Sequence, residues 1–160
     1  MREVVSVEYA FTYGQVMVFD LAEEVGLAWE DEHHAQGFVR TGRAAHIALH
    51  GDALVSRLRV LVADELPAMS YDQAVSTPIE LPSGCCVVCA PDDREGVRVR
   101  VEPGWYRLYV GQAMRGGESR VDVVLVRPDA LPARSFIHTG RHPRGEPAAC
   151  REDARPAELG

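Results

Sequence analysis

Six carboxylates crowd one early stretch of the chain: Asp20, Glu23, Glu24, Glu30, Asp31 and Glu32. Acids at that density can gather around calcium, trade protons with a substrate, or pair with cations on another molecule. A calcium site draws ligands from loops far apart in sequence, and the acidic pair in a strong turn that could contribute is Asp92-Asp93. Catalysis would need a nucleophile or a phosphate cradle, and the chain shows no nucleophile elbow, phosphate-binding glycine loop or HExxH. Cys86 and Cys89 have CxxC spacing, but Val87-Val88 between them is strand material. Residues three apart on a strand point to opposite faces, so Cys85, Cys86 and Cys89 read as apolar strand residues, with Cys150 alone far downstream. His46 and His50 could share a strand face as a metal pair, whereas adjacent His33 and His34 diverge by about 100° on a helix. The expectation is a chain with no catalytic residues, no metal and no cofactor. These residue types alone give the acidic stretch and Trp29 a place in the fold but no function.

The elements around these residues follow from hydrophobic period. Trp29-Glu30-Asp31-Glu32-His33-His34-Ala35-Gln36-Gly37-Phe38 predicts a short helix near 30–36. Its acids lie in the first turn, where the helix dipole favours them, and Gly37 stands where a left-handed cap ends it. Everything else alternates as strands do. Extended segments are expected at Val4–Tyr9, Gln15–Asp20, from Phe38, at Ala44–His50, Leu54–Val62, Ala74–Leu81, Cys85–Ala90, from Val97, at Trp105–Val110 and Val121–Val126. Arg57 and Arg59 should face solvent, and Pro78 should confine its strand to an edge or a bulge. Arg115-Gly116-Gly117-Glu118 reads as a hairpin turn. Nine or ten short strands with one helix predict an all-β fold, an antiparallel β-sandwich over 1–138. Residues 139–160, rich in Pro, Arg and Gly, predict a disordered tail.

The charge is unevenly placed. Residues 1–39 hold eight acids against one base, Arg2, which accounts for the whole formal charge of −7. Such an excess reads either as a solvated acidic face or as a surface that meets a basic partner, and it argues against direct nucleic-acid binding, which wants a basic stripe. All 17 basic residues are arginine. No apolar run approaches the roughly 18 residues that span a bilayer, and Glu3 and Glu8 stand where a leader would be basic and then apolar. Free thiols in one strand fit a reducing compartment, so a cytoplasmic protein without membrane contact is expected.

Two short motifs carry a resemblance. Val5-Ser6-Val7-Glu8-Tyr9 and Val16-Met17-Val18-Phe19-Asp20 lead to Trp29-Glu30-Asp31-Glu32 and Gly37-Phe38, and later a charged strand runs into Pro103-Gly104-Trp105-Tyr106-Arg107-Leu108. This order resembles the competence protein J family, known for inhibiting a DNA-entry nuclease, over roughly residues 4–126. Glu30 departs from the family pattern, which has a capping threonine after the tryptophan, and Ala28 stands where an acid is common. The resemblance implies a non-catalytic protein that restrains a nuclease. Asp20, Glu23, Glu24, Trp29, Glu30, Asp31 and Glu32 would form the face that occupies the nuclease's basic surface. Two other readings share these features: an immunity-type or orphan β-sandwich with a different protein partner, and a calcium- or lipid-binding module.

Overall fold

The computed structural model describes residues 2–23, 27, 29–31, 34, 37–50, 55–65, 71–93, 95–128 and 136–139. They form eleven strands: β1 (Arg2–Ala10), β2 (Gln15–Asp20), β3 (Phe38–Arg40), β4 (Ala44–Ala48), β5 (Val55–Ala63), β6 (Gln73–Leu81), β7 (Cys85–Cys89), β8 (Val97–Arg100), β9 (Gly104–Arg115), β10 (Glu118–Val126) and β11 (Phe136–Thr139). One sheet has the order β1-β5-β10-β9-β6-β11 and the other β3-β4-β2-β7-β8. The expected β-sandwich is what the chain forms. One seam differs from a purely antiparallel scheme, because β10 runs parallel to β5, with Val123 opposite Val60.

Alternation explains how the layers meet. Val16, Val18, Ile47 and Val88 from the five-stranded sheet pack with Leu58, Val60, Leu108, Val123 and Leu125 from the other in a single buried core. Each such side chain contributes about 1.5–3 kcal/mol by leaving water. Cys86 belongs to this core, and burial pushes its thiol pKa up. Cys89 is buried as well, on the opposite face of the same strand. The hairpin turn expected at 115–118 is present. Gly116 and Gly117 both take positive φ, 58° and 81°, which suits the right-handed twist of the paired strands β9 and β10.

Pro78 sits where its strand can bear it. β11 covers β6 only from Gln73 to Ser76, so among the described residues β6 at Pro78 has β9 as its one neighbour. Neither β11 nor its pairing was visible in the sequence, where periodicity ends near Asp129. Thr139, expected to begin the tail, is the last residue of β11; residues 140–160 lie outside the described residues.

The expectation that Arg57 and Arg59 both face solvent holds for Arg57 alone. Arg59 instead makes a bidentate pair with Asp122 on the neighbouring strand, at 2.8 and 2.7 Å. Asp122 is 0 % exposed and also accepts a hydrogen bond from the Tyr71 hydroxyl at 3.0 Å, with Arg120 at 3.3 Å. A buried carboxylate persists only with such compensation. The Tyr71 ring lies on the backbone of Gly111, where a Cβ would come within 2.5 Å of it. The outer face of the six-stranded sheet therefore holds a covered polar network, and Leu61, Val124 and Val126 are buried beside it.

Candidate functional site

The acidic stretch begins at Asp20, and the structure corrects the part expected of that residue. Asp20 continues the inward register of Val16 and Val18, so its carboxylate enters the end of the sandwich and is 0 % exposed. One oxygen accepts from the Ala22 amide at 3.0 Å. The other accepts from the Ser83 amide at 3.0 Å and the Ser83 hydroxyl at 2.7 Å. Its own amide donates to the Arg43 carbonyl at 3.0 Å. Asp20 thus ties the end of β2 to two turns, and no part of its carboxylate remains for a partner.

Glu23 is half-buried and faces Arg43, 3.7 Å from its guanidinium. Arg43 also donates to Glu80 at 3.0 Å, and that bond holds the guanidinium pKa above its ordinary value. Glu24 and Glu32 lie outside the described residues. Glu30 and Asp31 are exposed. The His34 amide donates to the Glu30 carbonyl at 3.0 Å, the spacing of a helical bond, while residues 32, 33, 35 and 36 of the predicted helix lie outside the described residues. Gly37 has the left-handed φ of 83° expected of the cap.

Trp29 is half-buried. It packs with Phe19, Leu27, Val39 and Ala44 on the outer face of the five-stranded sheet, and its ring lies 5.2 Å from that of His34. Phe38, at the other end of the segment, enters the main core. The two aromatics therefore enter different clusters on opposite faces of one sheet. The same outer face carries His46, between Val39 and Met17 in the register and 5 % exposed. Burial lowers its pKa to about 4, and its Nε2 has no hydrogen-bond partner among the described residues. His50 lies beyond β4, exposed, with its backbone held by the Gln112 side chain at 2.8 and 2.7 Å. The two histidines do not share a site. Among the described residues no three His, Cys, Asp or Glu side chains are grouped to hold a metal ion.

Three residues at this end of the sandwich were not singled out in the sequence. The turn Thr41-Gly42-Arg43 brings Arg43 between Glu23 and Glu80. Glu80 lies opposite Trp105 in the β6–β9 pairing, and its amide donates to the Gly42 carbonyl at 2.7 Å. Trp105 is 37 % exposed, and its ring lies 4.0 Å from the place a Cβ would take on Gly42. Strand parity could have put Glu80 and Trp105 on one side of their sheet. It could not have shown that the 41–43 turn of the other sheet closes over them.

The arrangement offers carboxylates, one paired guanidinium and an exposed indole, which is chemistry for binding a charged surface. No curated protein matches the chain in sequence. Among solved structures, the chain is similar to ComJ, inhibitor of the DNA degrading activity of NucA, from Bacillus subtilis, with a TM-score of 0.67 at 16 % identity, covering 79 % of this chain and 98 % of that one. It also aligns with the protein titled Crocagin biosynthetic gene J, with a TM-score of 0.48 at 15 % identity over 79 % of this chain and 100 % of that one. The family model described as Competence protein J (ComJ) matches residues 8–127, most of the sandwich, and the chain belongs to that family.

Proposed function

We propose that the protein is a non-catalytic inhibitor that binds a nuclease through its acidic N-terminal surface and occupies the nuclease's basic groove. The observation that carries this reading is family membership over residues 8–127, together with a solved relative that inhibits the nuclease NucA. The charge pattern supports it, because the whole net charge of −7 resides in residues 1–39. Of the acids in that stretch, Glu30 and Asp31 are exposed and Glu23 is half-buried beside Arg43, while Asp20 is structural. Glu24 and Glu32 belong to the proposed surface by sequence. Trp29 supports the segment from beneath. Cys85, Cys86 and Cys89 form no disulfide, which suits a reducing compartment, and we place the protein in the cytoplasm. No helix among the described residues is long and apolar enough to cross a membrane.

The test is a plasmid-digestion assay with Bacillus subtilis NucA and with the nucleases of the native host, each titrated with the wild-type protein and with a triple variant, Glu30→Arg, Asp31→Arg and Glu32→Arg. Reversing three charges at a rim slows association by about 10-fold or more at low salt, and raising the salt weakens the wild-type complex. The triple variant should keep the wild-type fold apart from a penalty of about 1 kcal/mol at the helix N-terminus. A variant that inhibits at the wild-type rate, with no salt dependence, removes the acidic face from the mechanism. Failure of the wild type to inhibit any of these nucleases removes the nuclease.

A further inference from the structure

We propose that the partner docks on the Glu23–Arg43–Glu80 end of the sandwich, with Trp105 as its aromatic anchor, and that Arg43 holds in advance the place of a partner guanidinium. This rests on the reading of the protein as a ligand of a basic protein surface and names where a cation of that surface is received. Two carboxylates from different elements, Glu23 after β2 and Glu80 on β6, converge on one guanidinium, at 3.7 and 3.0 Å. The two carboxylates are therefore already arranged around one guanidinium. Arg43 meets them from the solvent side, with its side chain 46 % exposed, so a competing cation can reach the same oxygens without unfolding anything.

Trp105 is the second, independent observation. It is one of only two tryptophans in the chain, and 37 % of its surface is open. Trp29, by contrast, is packed on the outer sheet face with Val39 and Ala44. The tip of the Trp105 indole lies beside Gly42, and the turn that carries Gly42 is fixed by backbone bonds from Glu80 at 2.7 Å, from Thr41 to Ala44 at 2.8 Å and from Asp20 to Arg43 at 3.0 Å. An open indole next to a carboxylate is a combination that receives arginine, stacking its plane and pairing its charge. Tryptophan at such a place dominates binding energy more often than the charges around it.

The occupant is thus a protein surface that presents arginine or lysine. Arg43 keeps the two carboxylates ordered while the site is empty and competes with the incoming cation. It follows that Arg43→Gln, which removes the competitor and leaves the end one charge more negative, strengthens the complex, the opposite of what loss of a contact residue does.

The experiment uses the full chain labelled with 5-fluorotryptophan, whose two fluorine resonances are assigned with a Trp29→Phe variant, and the nuclease that the protein inhibits in the assay above. Expected results are a shift or broadening of the Trp105 resonance on complex formation, an association rate raised roughly 2- to 5-fold by Arg43→Gln at low salt, and a dissociation constant raised about 10-fold or more by Trp105→Ala. If inhibition is intact but the Trp105 resonance stays fixed and Arg43→Gln weakens or does not change binding, the docking site lies elsewhere and this inference is overturned, while the inhibitor reading stands. If no nuclease is bound at all, the inhibitor reading falls and takes this inference with it. The fluorine measurement needs no substitution at Trp105, so a poorly folded Trp105→Ala does not blunt the test.

Discussion

At the scale of single residues, the acids divide by what their oxygens already do. The Asp20 carboxylate accepts three hydrogen bonds, so Asp20→Ala strands the Ser83 and Ala22 amides and costs about 2–4 kcal/mol, read by urea denaturation. The folded fraction of that variant should bind a partner as the wild type does, since Asp20 contributes no surface. A variant of unchanged stability and lost binding would return Asp20 to the interface. His46 makes a prediction of a different kind. Burial holds its pKa near 4, against an ordinary value of 6.5. Between those values the unfolded chain takes up a proton that the folded chain refuses. The stability from a neutral His46 is whole above about pH 6.5 and is lost as the pH falls toward 4, by up to about 3 kcal/mol. The wild type should therefore lose this increment between pH 7 and pH 4 relative to a His46→Leu variant. Parallel pH profiles for the two proteins would show that His46 is not held neutral.

Elements show why some features could be read from the chain and others could not. Val97, Val99 and Arg98, Arg100 alternate without a break, and β8 is a strand as that pattern requires. Asp20 shared the parity of Val16 and Val18, so its inward direction was legible. What was not legible is Ser83, which sits 63 residues away and supplies the partner that makes inward burial tolerable. The fate of Arg59 was hidden for the same reason, because Asp122 and Tyr71 come from β10 and from the segment before β6. The anchor at Trp105 stood inside a motif that could be quoted, yet only the meeting of two sheets brings Arg43 to Glu80, its neighbour across the β6–β9 pairing. The covered network yields a test at this scale. Gly111→Ala drives a methyl into the Tyr71 ring, lifts its hydroxyl from Asp122 and costs about 1–3 kcal/mol in equilibrium denaturation. The loss should be sub-additive with Tyr71→Phe, since both act through one contact. Full additivity would mean that the ring and Asp122 are energetically separate.

At the scale of the whole molecule, the sandwich, its approximate strand count and its family were visible in hydrophobic period and two short motifs, because period 2 is a local property. Strand order was not, since it depends on which distant edges find each other. Its most consequential instance is the parallel seam, where β5 ends at Ala63 and β10 begins only at Glu118. During synthesis β1 and β5 can form a two-stranded ribbon early, and such a ribbon is marginal in water. Its open edge waits until the chain through Val126 has been made and β10 can close it. Folding on the ribosome is therefore end-loaded. Residues 1–39 hold no completed sheet, and the molecule condenses late, on the millisecond-to-second scale of non-local β proteins. In that interval the negative charge concentrated in residues 1–39 repels its counterpart on any other unfinished chain, which disfavours their association.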